Sequence, residues 1–169
     1  MSFSKAATAV IINNFILVLL KNYWKILPDF YWSSILLRVP LATLFITSGL
    51  AKLPYHAEDG MGLGLPPLVW LLVIVSEIGS GVGLLVGGLT TLPRIRDNAL
   101  LAGLGDMLTR FSGIVMCCVI TGIIWTVLKP DNLWRFITTD YLHFSLWVGG
   151  LYFALRGNWA VRATQLKSD

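Results

Sequence analysis

Read only for apolar and polar positions, the chain is a series of long hydrophobic runs separated by short polar breaks. Four runs, over residues 33–53, 66–89, 107–128 and 141–155, approach the ~20 apolar residues that a helix needs to cross a bilayer. Backbone groups in hydrocarbon must be satisfied internally, so runs of this kind predict helices. Strands would need alternating segments of about ten residues with a polar lumen face, and the chain has none. The predicted fold class is all-α: an integral membrane four-helix bundle. A short helical turn is expected in NALLAGLG, just ahead of the third run. The fourth run is short for a span unless Trp134 and Trp159 extend it at the interfaces.

A further apolar run at residues 6–20, AATAVIINNFILVLL, is interrupted by Asn13 and Asn14. No small-residue cleavage site follows it, so a removed signal peptide is not expected. It predicts an interfacial helix, with Lys21, Tyr23, Trp24, Lys25, Tyr31 and Trp32 at headgroup level. A fifth transmembrane helix is the alternative. The expected organisation is an N-terminal interfacial segment over residues 1–31, a membrane domain over residues 32–160 and a cytoplasmic tail over residues 161–169.

The second run has the most internal detail. Pro66 and Pro67 suit a helix start. Gly79, Gly83 and Gly87 form a small-residue stripe of the kind that lets membrane helices approach closely. Glu77, Gly81, Leu84 and Gly88 lie on roughly the opposite face, so this helix is expected to pack on two sides with little lipid exposure. In the first run Arg38, Phe45 and Lys52 recur every seven residues and share nearly one face.

Composition agrees with this pattern. The chain is 56% hydrophobic and 13% charged, where soluble domains carry about 25% charged residues. The net charge of +4 comes from Lys and Arg placed between the apolar runs. It points to lipid headgroups and topology rather than nucleic acid. Lys5, Lys21, Lys25, Arg94, Arg96, Arg156, Arg162 and Lys167 fall on one side of a four-span arrangement. Both termini are therefore expected in the cytoplasm, and the inner membrane of a prokaryote is the expected location. Cys117 and Cys118 are adjacent, point about 100° apart on a helix, and read as packing residues.

Against this background Glu77 is the unusual residue. It lies about 11 residues into its run, roughly 16 Å deep, where a carboxylate costs about 2.5–3.5 kcal/mol on insertion scales. Arg38 and Arg110 enter from the cytoplasmic side and could reach it, giving an inner polar site of Arg38, Glu77 and Arg110. This is either an ion-paired network tying helices together or a polar pocket for a quinone head group or a proton step. An outer polar site gathers Lys52 and His143, with His56, Asp140 and Tyr141 nearby. Two histidines offer little for haem, because His56 and His143 would have to converge from a loop and a helix. There is no HExxH, no Cys/His cluster and no phosphate-binding loop, so no metal or covalently bound cofactor is expected, and quinone is the one candidate.

The stretches LLRVPLATLFITSGLAKL and SEIGSGVGLLVGGLTTLPRI resemble the first- and second-helix signatures of the DoxX-like family. The residues that carry the likeness are Arg38, Gly49, Lys52, Glu77, Gly83, Gly87 and Arg94. The likeness extends from Ser33 to Gly157, with only a loose match around His143 and Gly157. The family's glycine-rich close is replaced here by RGNWAVRATQ. The resemblance implies a four-helix membrane bundle similar to the small subunit of a thiosulfate:quinone oxidoreductase, or a membrane partner of a redox enzyme. Membrane lipids and other membrane subunits are the partners it implies. A structural or assembly subunit that docks on a larger complex is the alternative reading. A transporter or channel would need an inverted repeat or a polar pore lining, and the sequence offers neither.

Overall fold

The structure, a computed structural model, describes residues 33–158. The helix expected at residues 6–20 and the tail at 161–169 lie outside the described residues. Among these residues there is helix and no strand. The elements in order are α1 (Ser33–Leu50), α2 (Ala57–Gly62), α3 (Pro67–Leu89), α4 (Pro93–Arg96), α5 (Ala99–Ile123), a π-helical turn (Ile124–Leu128), α6 (Leu133–Thr139) and α7 (Tyr141–Arg156).

Local sequence explains where these helices begin and end. Pro66 precedes α3 in an extended conformation and Pro67 takes the first helical position, where the missing N–H costs nothing. The side chain of Asn98 accepts from the backbone N–H groups of Leu100 and Leu101, which starts α5 eight residues earlier than the apolar run at 107–128 predicted. The expected separate turn in NALLAGLG is thus the first part of one long helix. Asp140 starts α7 by accepting from His143 N at 3.1 Å. Gly157 ends it with φ +56°, a conformation that side-chain-bearing residues disfavour. α1 closes at Leu50, so Lys52 lies in the turn beyond the helix.

The four long helices pack in series, α1 on α3, α3 on α5 and α5 on α7, and α7 also touches α1. Glycine allows the closest approaches. A Cβ at Gly81 would lie 2.8 Å from Ala42 O across the α1–α3 contact, and one at Gly87 would lie 2.9 Å from Gly105 O across α3–α5. Gly113 and Gly150 do the same between α5 and α7. Between the helices Leu41, Ala42, Phe45, Leu84, Met116, Val119, Ile120 and Phe153 form the core.

α3 does pack on two sides, but it is more exposed than its sequence suggested. Leu68, Leu72, Val75 and Leu89 all face outward. Gly83 and Gly87 meet α5, whereas a Cβ at Gly79 would touch nothing. Among the described residues α3 and the α5–π-turn helix are the two helices long and apolar enough to cross a membrane, and only 39% and 22% of their most apolar stretches is buried. The core helix of a soluble protein would be mostly covered. Here apolar side chains such as Met107, Phe111 and Trp125 point away from the protein, an arrangement suited to a lipid surrounding.

Candidate functional site

The site is built at the end of α1 and along α3. Glu77 is 2% exposed, and its Oε2 accepts from Lys52 Nζ at 2.6 Å. Its Oε1 accepts from Ser48 Oγ at 3.2 Å. The Lys52 ammonium also donates to Ser48 O at 3.1 Å and Ser48 Oγ at 2.9 Å, so its three protons are all directed. It lies 5.8 Å from the centre of the Trp70 ring, a weak cation–π distance. A buried carboxylate is costly unless paired and hydrogen-bonded, and Lys52 with Ser48 meets both needs.

Arg38 and Arg110 do not take part in this pairing. Arg38 is 3% exposed and donates to Leu84 O at 2.6 Å, Thr109 Oγ1 at 3.2 Å and Asn158 Oδ1 at 2.8 Å. Its guanidinium also sits 4.7 Å from the Phe153 ring centre. Arg110 pairs with Asp106 at 2.8 Å and donates to the carbonyls of Ala154, Leu155 and Arg156 at the end of α7. Helix geometry explains the separation. Leu84 is seven residues beyond Glu77, roughly 10 Å along the axis, so Arg38 bonds one layer and Lys52 another. The expected grouping of Arg38, Glu77 and Arg110 thus divides: Glu77 pairs with Lys52, while Arg38 and Arg110 belong to one network joined through Asn158 and Asp106.

The outer pair expected from sequence, Lys52 and His143, shares a cavity. A space of about 530 Å³ is bordered by Lys52, Trp70, Ser76, Glu77, Cys118 and His143, with mainly apolar side chains between them. A second, smaller space of about 140 Å³ is bordered by Ser48, Glu77 and His143 among apolar neighbours. His143 Nδ1 lies 2.8 Å from Asp140 Oδ2 and 2.9 Å from Oδ1. Burial opposes charge on Asp140, but the hydrogen bonds from His143 outweigh it and hold the carboxyl below the usual aspartate range. His56 and Tyr141 are exposed and border neither space.

Several residues of the site could not be singled out from sequence. Trp70 is 6% exposed, and its indole nitrogen has no hydrogen-bond partner among the described residues. Ser48 carried no signal beyond its spacing of four from Lys52. Asn158 joins Arg38, Gly87 O and Thr109, and only its place after the glycine that ends α7 hinted at a role. The described residues hold no cluster of three or more metal-ligating side chains.

The DoxX family model matches residues 33–94. No curated protein and no solved structure matches the chain. The matched segment runs from the start of α1 to α4 and contains both members of the Lys52–Glu77 pair. Over residues 33–94 the chain is DoxX-like, and with two helices apolar enough to cross a bilayer it carries the marks of a membrane protein family.

Proposed function

We propose that the chain is a small integral subunit of a membrane redox complex in a prokaryotic cytoplasmic membrane, and that the cavity bordered by Lys52, Glu77 and His143 receives a quinone head group. In this reading α1, α3, α5 and α7 all cross the bilayer with both termini in the cytoplasm, and a helix at residues 6–20 lies at the interface or adds a span. The observation that carries the proposal is the cavity of about 530 Å³, apolar along most of its wall yet containing the Lys52–Glu77 pair, His143 and Trp70. That volume lies in the range of small-molecule sites, which combine apolar walls with a few placed polar groups. An apolar ring bearing two oxygens suits such a wall, and a lipid tail would run out along the exposed apolar face.

The test is purification from native membranes with analysis of bound lipids and partner subunits. Quinone that co-purifies with the native chain and is lost on Glu77→Gln supports the reading. A stable complex whose quinone content and turnover are unchanged by Glu77→Gln would overturn it. The second reading, a docking subunit without chemistry, is favoured by the open surface at Gly79 beside outward apolar side chains. It predicts that Gly79→Leu releases a partner subunit while quinone content stays the same.

A further inference from the structure

The hydrogen-bonding inventory of the cavity discriminates between two oxidation states of one ligand. Asp140 is a carboxylate and can only accept hydrogen bonds. The two short contacts to His143 Nδ1, at 2.8 and 2.9 Å, therefore require Nδ1 to carry the proton. A neutral imidazole with its proton on Nδ1 presents a bare lone pair at Nε2. His143 borders the cavity, and no protein partner is present for Nε2 among the described residues. Asp140 thus fixes His143 as an acceptor for whatever enters.

The remaining polar groups are already engaged or of known sense. Lys52 has spent its three donors on Glu77 and Ser48. Glu77 accepts from both. The Trp70 indole is a donor without an acceptor. The Trp70 nitrogen is itself shut off from open space, so the group that discriminates between ligands here is the acceptor at His143. A quinone ring has two carbonyl oxygens and can only accept. A hydroquinone has two hydroxyls, each able both to donate and to accept. We propose that the cavity selects the hydroquinone over the quinone, with His143 accepting from one ring hydroxyl, and that protonation of His143 removes this selectivity. The inference rests on the quinone reading of the cavity and adds to it the oxidation state that is held. No bond to hydrogen is broken in this step, and the proton stays on the ligand.

Asp140 faces His143 from its own turn, and the ionisable groups that border the two spaces with it are Lys52 beyond α1, Glu77 on α3 and Cys118 on α5. Lys52 and Glu77 are paired to each other, so the group that sets whether the ligand meets an acceptor is the imidazole, whose Nε2 accepts only when the ring is neutral.

The experiment is anaerobic binding of a short-chain benzoquinone and of its hydroquinone to the full chain in nanodiscs, with empty nanodiscs as the blank. Tryptophan fluorescence reports occupancy across pH 5–8. The expected result at pH 8 is about tenfold tighter binding of the hydroquinone, the worth of one net hydrogen bond, narrowing towards equality at pH 5. His143→Phe should remove both the preference and its pH dependence. Asp140→Asn keeps a residue able to cap α7, but its amide can face Nδ1 with either donor or acceptor. That variant should lose most of the preference while remaining folded, and it decides the matter if His143→Phe does not fold. Equal binding of both forms at pH 8, or a preference that survives Asp140→Asn, overturns the inference and leaves the quinone reading intact. Binding of neither form above the blank overturns the quinone reading itself.

Discussion

Lys52 and Glu77 show how a charge is kept in an apolar setting. The carboxylate is 2% exposed and the ammonium side chain 22%, so the pair is a buried anion held by a cation at the edge. Removing one partner from a fully buried pair costs about 3–5 kcal/mol. The partial exposure of Lys52 lets water screen what is left, so about 1–3 kcal/mol is the expected cost for Lys52→Met or Glu77→Gln alone. The double replacement Lys52→Met/Glu77→Leu should recover most of the loss, because neither charge remains to be solvated. Thermal unfolding in detergent measures all three, and additive losses in the double variant would contradict a direct pair. Asp140 gives a pH dependence with a definite sign. Its carboxyl titrates below 3.8 when folded, so its contribution to stability is complete above that value and is lost as pH falls through the folded pKa. Asp140→Asn should lower stability at neutral pH and flatten the acid side of the profile, so that native chain and variant converge at low pH.

Among the helices, the contacts separate glycines that look alike in sequence. Gly79, Gly83 and Gly87 share one spacing, yet a Cβ at Gly87 would meet Gly105 O at 2.9 Å and one at Gly79 would meet nothing. Gly87→Leu is therefore expected to destabilise by about 2 kcal/mol or more through overpacking, and Gly79→Leu to stay within about 0.5 kcal/mol. Chemical or thermal unfolding of the two variants side by side checks this, and equal losses would contradict the packing described. The same contrast marks what could be read without coordinates. Hydrophobic run length located the long helices because the requirement to satisfy backbone groups acts residue by residue along one segment. The start of α5 was missed because Asp106 and Gly105 interrupt the run, although Asn98 upstream is a sound capping signal. Glu77 stood out because a carboxylate in an apolar run is rare. Its true partner did not, because choosing between Arg38 and Lys52 needs the relative height of two helices, which is a property of packing. Trp70 was hidden for the same reason, since an unpartnered indole can be recognised only when its surroundings are known.

For the whole molecule the distribution of apolar surface is decisive. Trp125 is 75% exposed and Trp70 6%. In a bilayer containing brominated lipid, a variant keeping only Trp125 should be strongly quenched and one keeping only Trp70 weakly quenched. Equal quenching would mean that the outward face of the α5–π-turn helix is covered by protein rather than lipid.

The contacts of Arg38 also bear on how the chain is made. Its guanidinium is held by Leu84 on α3, Thr109 on α5 and Asn158 beyond α7, and it meets no carboxylate among the described residues. These partners leave the ribosome in that order, and the last emerges more than a hundred residues after Arg38 itself. During synthesis α1 thus emerges carrying a cation whose final acceptor does not yet exist. An incomplete chain displays an unpartnered charge on an apolar helix, and a finished one hides it. The arginine that locks the helices together is then also a marker of completed assembly, and chains stopped short of Asn158 should be degraded faster than full-length ones in a pulse-chase experiment.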